Sequence, residues 1–447
     1  MSTWTNQARI LPRRGWILAL CAAFAFIISA SVFGQPAVSE KQDIAIFSLG
    51  YYGWNIPAQA LASIDGEIQK VFSDLGRFTI IGVSQRLSRG GLDRFIETIR
   101  QAKQASFVMP EKYQFGEAFL TQAEFNRLVG AFIVVVPVVV EYNSFWNSKN
   151  LQWETNIKTD ITFIDVAAGG SVLAMRSVST SGTDKQNQFK SASSAIGSIP
   201  GQLQYEIRTV PEFQISTRIL SASGSTVRLQ LGTNMGLKKG DEYAIIEARQ
   251  VEGFDDSREA GLVVIKDVGR EVSTGEVLYS SLPLGKNTQL KEIPRQGADL
   301  DLYLHIVGDQ VVPGFKATAS RGFYAIRPFI AAQIPLGLIS GFLTVDIFPV
   351  NVLLGGEFVL NMGRLSIVPS AGVGLSYYHV TSAWISTDTD ILSHLGFQAS
   401  ARAAYLFNRN TRAFVDLGLE SWMSINTLYG NDSYGGLMLG AGVAFKL

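Results

Sequence analysis

The last thirteen residues of the chain constrain its fold more than any other segment. From Gly435 to Leu447, apolar side chains stand at every second position, with mainly glycine, alanine and one lysine between them. Successive side chains of a β-strand point to opposite faces of the sheet, so a pattern of period two predicts a strand. The apolar face carries Leu437, Leu439, Ala441, Val443, Phe445 and Leu447.

The same alternation recurs upstream, and its second face is unusual for a soluble protein. Between Arg412 and Glu420, valine and leucine alternate with charged residues and glycine. Segments at 364–377 and 394–407 likewise keep small and charged side chains together on one face. Such side chains fill the lumen of a narrow membrane barrel, whose apolar face meets lipid. We therefore predict an antiparallel transmembrane β-barrel in residues 320–447, with a soluble β-domain as the alternative.

Six strands are clear in this region, the first running from Phe323 to Ile334. Because eight is the smallest usual number for a membrane barrel, two more strands are needed. The candidates for this pair are Gly341 to Phe348 and Leu300 to Val307. We predict eight strands in all, without assigning the pairing of the first ones.

Long and short connections alternate between the predicted strands, as they do in outer-membrane barrels. On this basis Val380 to Leu392 and Thr427 to Tyr434 are predicted outer loops. Aromatic residues gather at the ends of the segments, where we expect them at the lipid–water boundary. These residues are Tyr377, Tyr378, Trp384, Tyr405, Phe407, Trp422, Tyr429 and Tyr434.

The C-terminal segment resembles the small outer-membrane barrels of the eight-stranded OmpA/OmpW-like type. Its final strand resembles the assembly signal that the barrel insertion machinery reads, carried here by Leu439, Val443, Phe445 and Leu447. That signal usually ends in an aromatic residue, and this chain ends in leucine. The resemblance implies a protein of the cell outer membrane of a diderm bacterium.

Charged residues on the inner face of the predicted barrel are expected to pair in the lumen. An eight-stranded barrel is just filled by its own side chains, so no open pore is expected. The predicted lumen charges are Arg327, Glu357, Arg364, Arg402, Arg412, Asp416 and Glu420.

Residues 1–34 are predicted to be a signal peptide. Three arginines precede an apolar stretch from Trp16 to Ile28, and Val32 and Gly34 are the small residues before a cleavage point. An uncleaved anchor helix and a lipoprotein site at Cys21 are the alternatives. Cys21 is the single cysteine, so cleavage after Gly34 would exclude disulfides and thiol catalysis.

Residues 35–207 have a different pattern and are predicted to form a periplasmic α/β domain. A strand from Asp43 to Leu49 is followed by a helix that Pro57 opens, and the valine-rich segment from Ala131 to Val140 predicts a buried strand. The order predicts helices packed over one mixed sheet. On residues 44–47 and 75–81 the segment resembles the periplasmic domains of the curli-secretion lipoprotein and TolB N-terminal type.

Residues 208–285 are predicted to form a small β module. Gly236 and Gly240 flank a tight turn that leads into a strand. The segment resembles the small C-terminal β-barrel module of flagellar FlgT-type periplasmic proteins, which implies a binding or scaffolding role. Residues 286–319 contain Pro294, Gly297, Pro313 and Gly314 and are predicted to be a connector.

No catalytic, cofactor-binding or metal-binding residue is predicted, and no cofactor. The 38 basic and 38 acidic residues balance, which gives no indication of nucleic-acid binding. None of the histidines has metal-ligand spacing. Gly372-Val373-Gly374 and Gly440-Ala441-Gly442 stay within strands, so packing explains them better than phosphate binding.

These observations favour a non-enzymatic outer-membrane protein whose barrel anchors periplasmic partner-binding modules in the cell envelope. Its expected partners are outer-membrane lipid, the barrel insertion machinery and an unknown periplasmic protein or cell-wall component. The alternatives are a small pore or transport protein for polar solutes and a surface adhesin that acts through the outer loops.

Overall fold

The computed structural model describes residues 38–447 except 52–55, 88, 103–111, 116–117, 131–132, 252–253, 322–324, 343–344, 383–388 and 426–432. The predicted signal peptide lies outside the described residues, as do the central parts of both predicted outer loops. In the part of the chain that is described, no helix is long and apolar enough to cross a membrane.

The first part of the chain, which we call the α/β region, has the mixed sheet that was predicted, and its strand order is β3-β1-β6-β7-β8. Strand β1 runs parallel to both of its neighbours, and the remaining pairs on this path are antiparallel. Its elements are β1 (Gln42–Ser48), β2 (Gly50–Tyr51), α1 (Ala58–Asp74), β3 (Phe78–Arg86), α2 (Arg89–Ala102), β4 (Lys112–Phe115), β5 (Ala118–Thr121), α3 (Gln122–Gly130), β6 (Ile133–Asn147), β7 (Gln152–Asp165), β8 (Ser171–Asp184), α4 (Gln188–Gly197) and α5 (Ile199–Thr209).

Both faces of this sheet are covered, because its central strands are apolar on both sides. In β1, Ile44 and Ile46 pack against α1, α4 and α5, whereas Ala45 and Phe47 pack against α2 and α3. Helix α1 ends where Gly76 adopts a φ of +68°. Gly76 lies directly against Gly236 of the next unit, and a Cβ at Gly76 would stand 2.7 Å from the backbone nitrogen of Gly236.

The second unit, the small β-barrel, closes in the order β10-β13-β12-β11-β14-β9. Its strands are β9 (Ser216–Ser223), β10 (Thr226–Leu229), β11 (Glu242–Val251), β12 (Phe254–Val268), β13 (Ser273–Ser280) and β14 (Gln289–Ile293). The interior is apolar, and Ile219, Ile245 and Leu290 are completely buried there. The predicted boundary at residue 285 is therefore too early, because β14 supplies a strand that closes the barrel.

The third unit, the C-terminal barrel, is closed by eight strands among the described residues. They are β15 (Ala298–Val307), β16 (Gln310–Ala319), β17 (Ile326–Gln333), β19 (Val345–Phe358), β21 (Leu365–Ser382), β22 (Thr389–Asn408), β23 (Thr411–Ser424) and β24 (Tyr434–Lys446). The short strands β18 (Ser340–Phe342) and β20 (Leu360–Met362) pair antiparallel with the first residues of β19 and β21, respectively.

The predicted connector at 286–319 is wrong, since most of it forms the first two strands of the C-terminal barrel. Strand β15 pairs with β24 from Asp299–Lys446 to Val307–Met438, which closes the barrel. Pro313 and Gly314 lie inside β16 and do not end it. Gly314 has a packing reason, because a Cβ there would meet the Tyr303 ring at 2.5 Å. Leu300 to Val307 is thus one of the missing strands, whereas Gly341 to Phe348 contributes only β18 and the start of β19.

The C-terminal barrel exposes apolar side chains and buries polar ones. Along β15, Leu302, Leu304 and Ile306 point outward and are about half exposed, at 51–52%. Asp301 and His305, on the other face of the same strand, are buried inside the barrel. An apolar exterior around a polar interior is the arrangement of a barrel that spans a lipid bilayer.

The aromatic boundary prediction is wrong for Trp422, which is fully buried in the lumen. Trp422 stacks on Tyr434 with ring centroids 6.1 Å apart. Gly374 and Gly396 make room for it, since a Cβ on either would lie within 2.8 Å of the indole. Tyr378 is also buried rather than at the boundary. Trp384 and Tyr429 lie outside the described residues.

Candidate functional site

Ion pairs fill the lower half of the C-terminal barrel, at the end that faces the small β-barrel. The guanidinium of Arg402 contacts Asp416 at 2.8 Å and Asp301 at 2.5 Å. Lys316 contacts Glu357 at 2.7 Å and Asp301 at 3.3 Å. We call this set the lumen network; its members are Asp299, Asp301, His305, Lys316, Arg327, Glu357, Arg402 and Asp416.

A second layer of the lumen lies beyond the ion pairs, farther from the small β-barrel. Its hydrogen bonds, as far as the described residues show, join one carboxylate to neutral side chains and not to a cation. The carboxylate of Glu420 accepts hydrogen bonds from Gln333, from Gln398 at 2.8 Å and from the indole N–H of Trp422 at 2.7 Å. The Tyr303 hydroxyl donates to Gln333 at 3.1 Å. These bonds, with the ion pairs below them, leave the lumen occupied by side chains, as expected for eight strands.

The structure brings together five of the seven predicted lumen charges inside the barrel: Arg327, Glu357, Arg402, Asp416 and Glu420. Arg364 is not among them, because it lies in the turn before β21 and its guanidinium sits 3.9 Å from the Tyr279 ring of the small β-barrel. Arg412 lies at the barrel mouth, and its side chain makes no ion pair or hydrogen bond with another described residue.

Four members of the lumen network lie in the segment that was predicted to be a connector: Asp299, Asp301, His305 and Lys316. The sequence does carry a signal for them, since aspartate, tyrosine and histidine alternate with leucine and isoleucine through β15. His305 stacks on Tyr303 at 4.1 Å and contacts Asp416 at 3.2 Å. The described residues contain no group of three His, Cys, Asp or Glu side chains placed to hold a metal ion.

The residues of the predicted assembly signal lie on the outward face of β24 and at the position directly after it. Their side chains are between 37% and 51% exposed, in line with the apolar exterior of the neighbouring strands. They are Leu439, Val443, Phe445 and Leu447. The outward face is the side on which lipid or another protein would contact them.

The small β-barrel caps the mouth of the C-terminal barrel. The connections β16–β17, β19–β21 and β22–β23 at this end each contact the small β-barrel through an arginine. Arg321 pairs with Asp241, and the Arg364 guanidinium lies over the Tyr279 ring. Arg409 contacts Glu259 at 2.7 Å. Leu406, at the end of β22, is 1% exposed and packs into an apolar patch of the cap around Leu262 and Leu278. The mouth of the lumen is therefore covered by a folded unit.

Three buried carboxylates of the small β-barrel hold all three units together; we call them the junction carboxylates, Asp241, Glu242 and Glu292. Glu292 contacts two arginines of the α/β region, Arg77 and Arg208, each at 2.6 Å. Asp241 pairs with Arg208 on one side and with Arg321 of the C-terminal barrel on the other. The small β-barrel thus forms ion pairs with both the α/β region and the C-terminal barrel.

Glu242 completes this junction by binding two cations, Arg295 of the linker between β14 and β15 and Lys446 of β24. Arg295 contacts it at 2.7 Å, and the ammonium of Lys446 is its second partner. Burial by itself would raise the pKa of Glu242, but Lys446 and Arg295 outweigh burial and lower the pKa from 4.5 to about 2. The carboxylate is consequently ionised across the physiological range and holds both cations.

Oppositely charged neighbours also outweigh the effect of burial on the pKa values of Glu292 and Arg208. Burial raises the pKa of Glu292, but Arg77 and Arg208 lower it by more, so the net pKa lies below its ordinary value. Burial lowers the pKa of Arg208, while Glu292 and Asp241 raise it by more. Buried charges that are matched in this way cost a great deal to separate, because breaking one pair leaves an uncompensated charge.

A cavity of about 330 Å³ remains where the three units meet. Its walls come from α5, from the turn before β11 and from the mouth of the C-terminal barrel. Among the described residues, three acidic ones line the cavity, namely Asp241, Glu242 and Asp299. Eight basic residues of the described part of the chain line it as well: Arg208, Lys239, Lys266, Arg295, Arg321, Arg327, Arg412 and Lys446.

No protein-family model matches the chain, and no curated protein is significantly similar to it. Among solved structures, it is similar to Neisserial surface protein A, with 13% identity over 34% of this chain and 94% of the other, at a TM-score of 0.24. It is also similar to the attachment invasion locus protein Ail of Yersinia pestis, with 11% identity over 34% of this chain and 95% of the other, at a TM-score of 0.21.

A major outer membrane protein from Thermus thermophilus is similar at 15% identity over 34% of this chain and 99% of the other, with a TM-score of 0.22. These neighbours are outer-membrane β-barrel proteins. At such low identities and TM-scores they decide nothing about this chain. Its eight-stranded barrel is established by its own strand pairing.

Proposed function

We propose that the chain is a non-enzymatic outer-membrane protein, in which a sealed C-terminal barrel anchors the α/β region in the periplasm for partner binding. The observation that carries this proposal is the double closure of the barrel. Ion pairs fill its lumen, and the small β-barrel covers one mouth through contacts with all three connections at that end. A solute would have to break buried ion pairs to pass, which is costly.

The apolar exterior supports insertion into a bilayer, and the lengths of the connections support the orientation. In outer-membrane barrels the turns on the periplasmic side are short and the outer loops are longer. Here residues 409–410 connect β22 to β23 at the capped mouth, whereas residues 425–433 connect β23 to β24 at the other end. The α/β region and the small β-barrel then both lie in the periplasm.

A partner site on the α/β region is supported by the tip of the hairpin between β6 and β7. Phe145, Trp146 and Leu151 are exposed there, at 37%, 43% and 67%. Trp146 packs edge-to-face against Trp153, with centroids 5.8 Å apart. Exposed aromatic residues held in place by a hairpin are typical of contact surfaces for other molecules.

Conductance measurements on the full chain in planar lipid bilayers test the sealed barrel. The proposal predicts no stepwise conductance over hours at moderate voltage. Stable channels of uniform size would contradict it and support the alternative of a small pore for polar solutes.

Photo-crosslinking in intact cells tests the anchoring role. A photoreactive amino acid at Trp146 should give a discrete crosslink to a periplasmic protein or to the cell wall. The control is Phe189, which is 72% exposed on α4 of the same region and should give none. Labelling of the chain from outside the cell at Trp146, or adhesion of cells that depends on the chain, would contradict the proposal and favour the adhesin.

A further inference from the structure

The cavity at the junction has more positive charge than its surroundings balance. Most of its cations have a carboxylate partner: Arg295 and Lys446 share Glu242, and Lys266 contacts Glu276 at 2.7 Å. Two cations differ from the rest. For Arg412 and Lys239, no ion pair or hydrogen bond to another described side chain is found.

Arg412 is the more informative of these two residues. It stands on the inner face of β23, at the mouth of the C-terminal barrel, and is only partly exposed. Arg412 lines the cavity together with the paired cations Arg327 and Arg295. A guanidinium in such a setting costs free energy unless its N–H groups find acceptors, and an anion supplies both acceptors and charge.

The size of the cavity suits a ligand larger than a water molecule or a simple ion. Its volume of about 330 Å³ lies at the lower end of the range for small-molecule sites, roughly 300–1,000 Å³. Its lining also reaches Phe358, whose side chain is exposed on the outside of the barrel. A ligand in the cavity can therefore extend either into solvent or along the lipid-facing surface.

We propose that this cavity binds a phosphate group, with Arg412 as its principal ligand and Lys239 at the rim. The planar guanidinium of arginine matches two phosphate oxygens at once, and Arg412 and Lys239 together supply the two positive charges that balance a phosphate monoester. The group belongs either to a soluble phosphate compound or to the headgroup of an anionic phospholipid. The proposal does not depend on the partner-binding role of the α/β region.

The test uses the purified full chain in a zwitterionic, phosphate-free detergent, with two probes. Isothermal titration measures the binding of inorganic phosphate, and native mass spectrometry measures retention of phosphatidylglycerol added to the micelles. Arg412→Gln should weaken binding at least about tenfold, as expected for the loss of a charge-assisted bidentate contact. Arg228→Gln is the matched control, because Arg228 is exposed on the outside of the small β-barrel and away from the cavity.

Since the side chain of Arg412 makes no ion pair with a described residue, its replacement should leave the heat-modifiability of the barrel on a gel unchanged. Phosphate binding that requires Arg412 supports the site and indicates a soluble ligand. Retention of phosphatidylglycerol that requires Arg412, without binding of free phosphate, supports it and indicates a lipid. Binding of neither probe, or binding that survives Arg412→Gln in a folded protein, overturns it.

Discussion

The chain contains two closed antiparallel barrels that are built in opposite ways. The small β-barrel buries Ile245 and Leu290 and turns polar residues such as Arg228 outward. The C-terminal barrel buries Arg402 and Asp416 and turns leucine outward. Both use the same alternation of period two, so the local pattern determines a strand in each case but does not determine which face is buried.

The difference follows from what surrounds each barrel. In the proposed placement, water around the small β-barrel favours burial of its apolar face, whereas lipid around the C-terminal barrel removes that driving force and leaves polar groups to satisfy one another inside. A six-stranded barrel can then be filled by aliphatic side chains, while the eight-stranded one needs paired charges and a tryptophan. A charged residue should therefore be tolerated on the outside of the small β-barrel and on the inside of the C-terminal barrel, and should destabilise each barrel on its other face.

The largest effect is expected for Ile245→Asp in the small β-barrel. The substitution removes a completely buried side chain and places a carboxylate without a partner in an apolar core, at a cost of about 4 kcal/mol or more. Limited proteolysis should then digest the small β-barrel while the C-terminal barrel keeps its gel shift on heating. Protection of the small β-barrel equal to that of the unsubstituted chain would contradict its assigned core.

Arg402→Met tests the polar interior of the C-terminal barrel. It leaves Asp301 and Asp416 without their shared cation, which should cost about 3–5 kcal/mol. Urea unfolding in phospholipid vesicles measures the change. Arg228→Met is the control. If Arg402→Met lowers the free energy of unfolding by no more than Arg228→Met does, the lumen network is not needed for stability.

Leu417→Arg tests the apolar exterior of the same barrel. Leu417 is 54% exposed at the middle of β23, where an arginine in contact with lipid should cost about 2–4 kcal/mol. The matched change Thr226→Arg, on the water-exposed side of the small β-barrel, should alter stability by less than about 0.5 kcal/mol. Equal effects at the two positions would remove the distinction between the two exteriors.

The junction between the two barrels should respond to acid through Glu242. Its pKa is about 2 in the folded chain and 4.5 ordinarily, so the ionised carboxylate favours the closed junction above pH 4.5. That contribution is lost as the pH falls through about 2. Spin-label distances between the barrels should therefore stay constant from pH 7 to pH 4 and lengthen only in stronger acid. Lengthening already at pH 5–6 would contradict this assignment.

The smallest effect is expected for Arg409→Ala. The ion pair between Arg409 and Glu259 is solvent-exposed, with side chains 46% and 28% accessible, so it should contribute at most about 1 kcal/mol. Titration with urea should show a midpoint close to that of the unsubstituted chain. A loss of stability comparable to that of Arg402→Met would mean that the small β-barrel stabilises the C-terminal barrel far more than its exposed contacts explain.

The sequence predicted the strands of the C-terminal barrel where alternation was uninterrupted, as in β23 and β24. It named Leu300 to Val307 only as a candidate for β15 and missed β16, because proline and glycine at positions 313 and 314 are typical of connectors. The packing of Tyr303 over Gly314 that explains them becomes visible only when two strands are paired.

The candidate site was harder to predict than the strands. Asp241 precedes β11, Glu242 begins it and Glu292 lies in β14, and for charged residues of a small module a solvent-exposed position is the usual outcome. Their burial results from contacts between units, such as Glu242 with Lys446 and Glu292 with Arg77, which are far apart in the chain. Local patterns carry no signal for such pairs.

The central claim is that the C-terminal barrel begins with β15 and faces lipid on its apolar side. Electron paramagnetic resonance of a spin label at Leu304, in a Cys21→Ser background in phospholipid vesicles, tests it most directly. The label should collide more often with lipid-soluble oxygen than with a water-soluble nickel complex, whereas a label at Thr226 should show the reverse. Preferential collision with nickel at Leu304 would contradict the claim, because that residue would then lie in water.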